Sequence, residues 1–72
     1  MSKASALQEI DELITRYENM ANESARIAVE EYDPAHLENF LEHRSDFRAY
    51  SSRVAGLTEA RKITFSHITA SE

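Results

Sequence analysis

The chain has 72 residues, a net charge of −5 and no cysteine, so it forms at most one small domain, 1–72, without disulfides or thiolate metal sites. No apolar run approaches the roughly 18 residues of a membrane span. The start, Met1-Ser2-Lys3-Ala4-Ser5 followed by Glu9, Asp11 and Glu12, lacks the apolar core of a signal peptide. The expectation is a protein that is cytoplasmic as made, unless a dedicated machine exports it. Charge is uneven along the chain. Residues 1–33 carry eight acids against Lys3, Arg16 and Arg26, whereas residues 34–72 carry five acids and five bases. Direct nucleic-acid binding needs a concentrated positive surface, and the acidic first half argues against it. A core at this size supplies only roughly 3–5 kcal/mol, so a partner or a second copy is expected to share the task.

In chain order, helix 1 is predicted over about 5–31. Ser5 and Gln8 stand at capping-box spacing. Leu7, Ile10, Leu13, Ile14, Tyr17, Met20, Ala21, Ile27 and Ala28 recur at gaps of three and four, which makes one apolar stripe. Ser24 interrupts it, and Ala21, Asn22, Ser24 and Ala25 make the middle of the helix small enough for a close neighbour. Asp33-Pro34 then divides the chain. Asp suits a helix cap and proline the first helical turn, so helix 2 is predicted from about 34 to 56. Its residues Leu37, Phe40, Arg44, Phe47, Ser51 and Val54 step like a heptad seam. Arg44 is expected to lay its stem on the seam and reach out to water.

After Gly56 two readings stay open. Thr58-Glu59 can cap a new short helix, or helix 2 continues as an extension over 58–69. Lys62-Ile63-Thr64-Phe65-Ser66-His67 also alternates like a strand, but a lone strand has no partner here. The last residues, Thr69 to Glu72, are expected to be mobile. The fold class is therefore all-α, an antiparallel two-helix hairpin with its turn at Asp33-Pro34. Leu7, Ile10, Leu13, Tyr17 and Met20 are expected to pack on Leu37, Phe40, Phe47, Tyr50 and Val54.

Signals for chemistry are sparse. His36 and His43 lie seven apart, two turns along one face, which is about 10 Å and too far for one metal ion. Glu42, His43 and Asp46 could do acid–base work only in a cleft, and a hairpin offers none. The serines lack a nucleophile-elbow context, and one glycine cannot build a phosphate loop. No catalytic, cofactor-binding or metal-ligating residue is assigned, no cofactor or small-molecule substrate is expected, and the chain does not read as an enzyme. Aromatics beyond what one hairpin can cover point instead to an interface. The interface candidates are Phe40, Arg44, Phe47, Tyr50, Val54 and Leu57 on helix 2, and the acids Glu9, Glu12, Glu30 and Glu31 on helix 1.

From Asp33 onward the chain resembles the needle-subunit family of type III secretion systems. The likeness lies in Asp33-Pro34-Ala35, Leu37, Phe40, Ser45-Asp46-Phe47 and Tyr50. That family consists of short, cysteine-free helical hairpins with a proline-containing turn and a long second helix. The chain departs from it in ending Thr-Ala-Ser-Glu rather than in an apolar segment, and in having Leu41 where glutamine is common. Ala28-Val29-Glu30, Pro34, His36-Leu37 and Arg44 are also similar to the theta subunit of bacterial replicative polymerase, although that family is basic and three-helical. Both resemblances imply a protein that works by binding proteins. The functional expectation is a non-enzymatic interaction module that self-associates or docks on a larger protein, such as a secretion-apparatus assembly component. The alternatives are a small acidic regulator or inhibitor of phage type that binds a basic enzyme surface, and an accessory subunit of a polymerase-like complex.

Overall fold

Asp33 sets the turn. Its backbone is extended (φ −144°, ψ 118°), and its Oδ1 accepts the Ala35 N–H at 2.9 Å. Its carbonyl accepts the His36 N–H at 2.9 Å. Pro34 follows in the first position, where a backbone N–H would have had no helical partner. This computed structural model describes the backbone of residues 3–71 and the side chains of residues 4–67. Helix α1 runs Lys3–Glu30, and a 3-10 turn over Pro34–His36 leads into helix α2, Leu37–Ser71. The readings made on Met1, Ser2 and Glu72 lie outside the described residues. No strand occurs among the described residues. The helices pack side by side into a rod of 58 × 14 × 14 Å, so the chain is an all-α helical hairpin.

Side-chain spacing explains the pairing. The less exposed positions of α1 are led by Leu7, Ile10, Ile14, Tyr17, Ala21, Ser24 and Ala28, alternating by three and four. Those of α2 do the same through Phe40, His43, Tyr50, Val54, Leu57, Arg61 and Thr64, with Phe47 completing the series at its rim. Such alternation keeps one seam facing the neighbour. The tightest part is mid-α1, where Ala21 is 4%, Ala28 6% and Ser24 8% exposed. The register is fixed by Tyr17 stacked on Tyr50 (ring centroids 6.1 Å apart), by Arg61 Nε on Asp11 Oδ1 at 2.6 Å, and by Tyr32 edge-on to Phe40 at 5.6 Å.

Four sequence expectations are corrected. The described part of α1 begins before Ser5, which therefore lies inside the helix rather than at its cap; Gln8 donates to Glu12 at 3.4 Å instead. Arg44 lies beside the seam rather than in it, with its stem against Phe40 and Phe47 and the residue exposed. The line Leu37–Arg44–Ser51 continues into polar Thr58, whereas His43–Tyr50–Leu57 stays largely apolar. The helix turns the second line inward because sequestering a guanidinium without a partner is costly. Leu37 and Met20, expected in the core, are correspondingly exposed. Antiparallel register also brings Leu7 and Ile10 alongside Ala60 and Thr64, one half-length away from Phe40 and Phe47.

Gly56 neither ends nor breaks α2. It has no positive φ, and the next turn is tied back by Thr58 Oγ1 donating to the Val54 carbonyl at 2.8 Å. The short third helix and the strand at 62–67 do not form, because the helix carries on through both segments. A Cβ at Gly56 would meet nothing within 4 Å. Gly56→Ala should therefore raise stability by roughly 0.5–1 kcal/mol, the difference in helix propensity. A urea midpoint that stays level or falls would contradict an uninterrupted helix at this position.

Candidate protein-interaction surface

The two flanks of the seam differ. On one flank Arg53 lies 5.3 Å from the centroid of the Tyr17 ring, and its Nη1 donates to Tyr17 Oη at 3.1 Å. Tyr50 stacks behind that ring. Leu13, Gly56 and Leu57 line the neighbouring open cleft of ≈ 370 Å³, and Met20 and Tyr50 border a further one of ≈ 330 Å³. This flank is a self-contained cluster in which aromatic, cation and aliphatic groups satisfy one another.

The other flank has no such cation–ring cluster among the described residues. Two clefts sharing Phe47 run along it from the turn to mid-rod. The first, ≈ 180 Å³, is walled by Ala25, Ala28, Val29, Phe40, Arg44 and Phe47 and exposes only apolar surface, so Arg44 contributes its methylene stem. The second, ≈ 280 Å³, is lined by Glu18, Ala21, Asn22, Phe47, Ser51 and Val54. Large apolar groups border them in the open: Val29 is 74%, Leu37 and Leu41 47% and Phe47 38% exposed. Arg44 and Arg48 stand beside Leu41, one helical turn apart, and neither has an ion-pair partner among the described residues. Like charges at this spacing oppose the helix.

The sequence candidates divide accordingly. Tyr50, Val54 and Leu57 lie between the helices, Phe40 is half-buried at the seam, and Arg44 and Phe47 face the open groove. The four acids do not form one surface. Glu9 and Glu12 lie near the start of α1, about 30 Å along the axis from Glu30 and Glu31. Glu30 pairs with Arg26, and Glu31 lies 3.6 Å from His43 Nε2. His36 has its own neighbour, Glu38, at 3.4 Å, so the two histidines face different carboxylates. Among the described residues no group of three His, Cys, Asp or Glu could hold a metal ion. Val29, Leu41 and Arg48 were not singled out from the sequence. The i, i+4 repeats Leu37–Leu41 and Arg44–Arg48 on a ridge beside the seam were the signal for the latter two.

No known protein family, curated protein or solved structure matches this chain.

Two measurements check this geometry. Tyr17→Leu and Arg53→Ala, alone and together, should show a coupling of about 0.5–1 kcal/mol in a double-mutant cycle; strictly additive losses would dissolve the cluster. Arg26 also donates to Glu23, with Nε at 3.1 Å, and this hydrogen bond holds the Glu23 carboxyl below its usual 4.5. The folded pKa is the depressed one, so the contribution is present above the unfolded value and fades as pH falls through the folded one. Carboxyl chemical shifts should show Glu23 titrating below 4.5 and returning to it in Arg26→Ala; no difference between the two would remove the pairing.

Proposed function

We propose that this chain works by association with protein, its own copies first, and carries out no chemistry itself. The observation that carries this reading is the surface it leaves open. A globular monomer of 8.2 kDa exposes about 4,500 Å², whereas this chain exposes 5331 Å². The excess of about 800 Å² goes with the 58 × 14 × 14 Å rod shape, which leaves both flanks of the seam uncovered. Part of it is the apolar row from Val29 to Phe47. A subunit of a larger assembly is the specific form of this reading, in keeping with the resemblance of residues 33–50 to secretion needle subunits.

A second reading has its own observation. Glu9 and Glu18 are exposed without an ion-pair partner among the described residues, and such charges can steer a small acidic regulator onto a basic protein. The two readings separate in one experiment, light scattering after gel filtration across chain concentration at low and high salt. Self-association through apolar surface gives a mass that grows with concentration and persists in salt. A single-chain mass at all concentrations, with partner binding that salt abolishes, would replace the first reading by the second.

A further inference from the structure

We propose that the groove between Val29 and Arg44, with the Leu41 ridge beside it, is a dimer face filled by a second copy of this chain, the two related by a two-fold axis that runs along the rod. The proposal rests on the self-association reading and adds the face, the partner and the geometry.

Both walls of the groove are stripes of residues spaced by three and four. On α1 the stripe contains Glu18, Ala25 and Val29; on α2 Arg44 lines the groove, and Leu41 and Arg48 stand with it on the ridge just outside. Ala25 and Arg44 share one cleft, and the register set by Tyr32 on Phe40 and Tyr17 on Tyr50 puts Val29 about level with Leu41 and Glu18 within about one turn of Arg48. A two-fold axis parallel to the rod lays α2 of one copy on α1 of the other at the same level. Leu41 then meets Val29 of the second copy. The long Arg44 crosses small Ala25. Arg48 comes within reach of Glu18, so two charges that lack ion-pair partners among the described residues of the hairpin acquire them. A perpendicular axis would lay α2 on α2 and bring the arginines of both copies together, which repels. Charge therefore selects the axis. The product is an antiparallel four-helix bundle.

The test is the mass and dimer dissociation constant of the full chain by sedimentation equilibrium, with helicity followed by circular dichroism. The wild type should reach the mass of two chains. Val29→Asp and Leu41→Asp should each weaken the dimer more than tenfold, and Met20→Asp on the opposite flank should not. Arg48→Glu and Glu18→Arg should each weaken it several-fold, and the two together should recover most of the loss. These two side chains face solvent in the single hairpin, so the charge swap decides the matter even if an apolar-to-Asp variant loses helicity. A dimer indifferent to Val29→Asp and Leu41→Asp but broken by Met20→Asp would overturn the face while leaving self-association standing. Reversals that do not rescue each other would overturn the axis. A wild type that stays a single helical chain at every concentration would overturn both the dimer and the reading beneath it, and leave the groove to a different protein.

Discussion

Two helices can cover only one stripe of each other, and in this chain the deepest part of that stripe is made of small residues. Ala21, Ser24 and Ala28 let α2 come close, and Phe40, Phe47 and Tyr50 fill the space over them. Close approach gives good contact but little buried volume on the α1 side. The aromatic rings are therefore covered on one edge and open on the other. The open edges of Phe40 and Phe47, together with Val29 and the Arg44 stem, form the walls of the groove, and Tyr50 opens on the other flank. A third helix would remove the problem, but the continuous run of α2 through Gly56 gives none.

The polar groups follow from the same constraint. Where the seam can accept a cation, the chain gives it a carboxylate or a ring: Arg61 has Asp11, and Arg53 has Tyr17. Arg26 is held between Glu23 and Glu30 on the outer face of α1. Arg44 and Arg48 are treated differently. They sit one turn apart on a ridge with Leu41, with no acid among the described residues placed to answer them. Exposed pairs of the first kind contribute about 0–1 kcal/mol each. The uncompensated pair is the more informative, because like charges one turn apart oppose the helix that carries them.

Much of the fold could be read from the residues, for local reasons. Asp33-Pro34 combines a cap with a residue that fixes the helical φ, and the hairpin turns there. Periods of three and four on both sides of it made helices of both halves. The facing of α2 was less legible. Leu37–Arg44–Ser51 and His43–Tyr50–Leu57 both carry a heptad period and differ in how they continue, so the choice depends on the burial of one guanidinium against one imidazole, a tertiary matter. Gly56 misled in a simpler way. Glycine permits a helix end without requiring it, and here no left-handed residue follows from it. The open groove was half legible: Phe47 and Arg44 stood out as an aromatic and a charge on a seam, whereas Val29 gained meaning only from α2 lying beside it.

The central claim is that this hairpin is energetically incomplete alone. It is tested most directly by the thermal midpoint of the helical signal as a function of chain concentration, since association that favours the folded state makes that midpoint concentration-dependent. The account predicts a midpoint that rises by several degrees over two decades of concentration, with partial loss of helix at the dilute end. A sharp, cooperative transition at one temperature throughout, with full helicity in the most dilute sample, would contradict it.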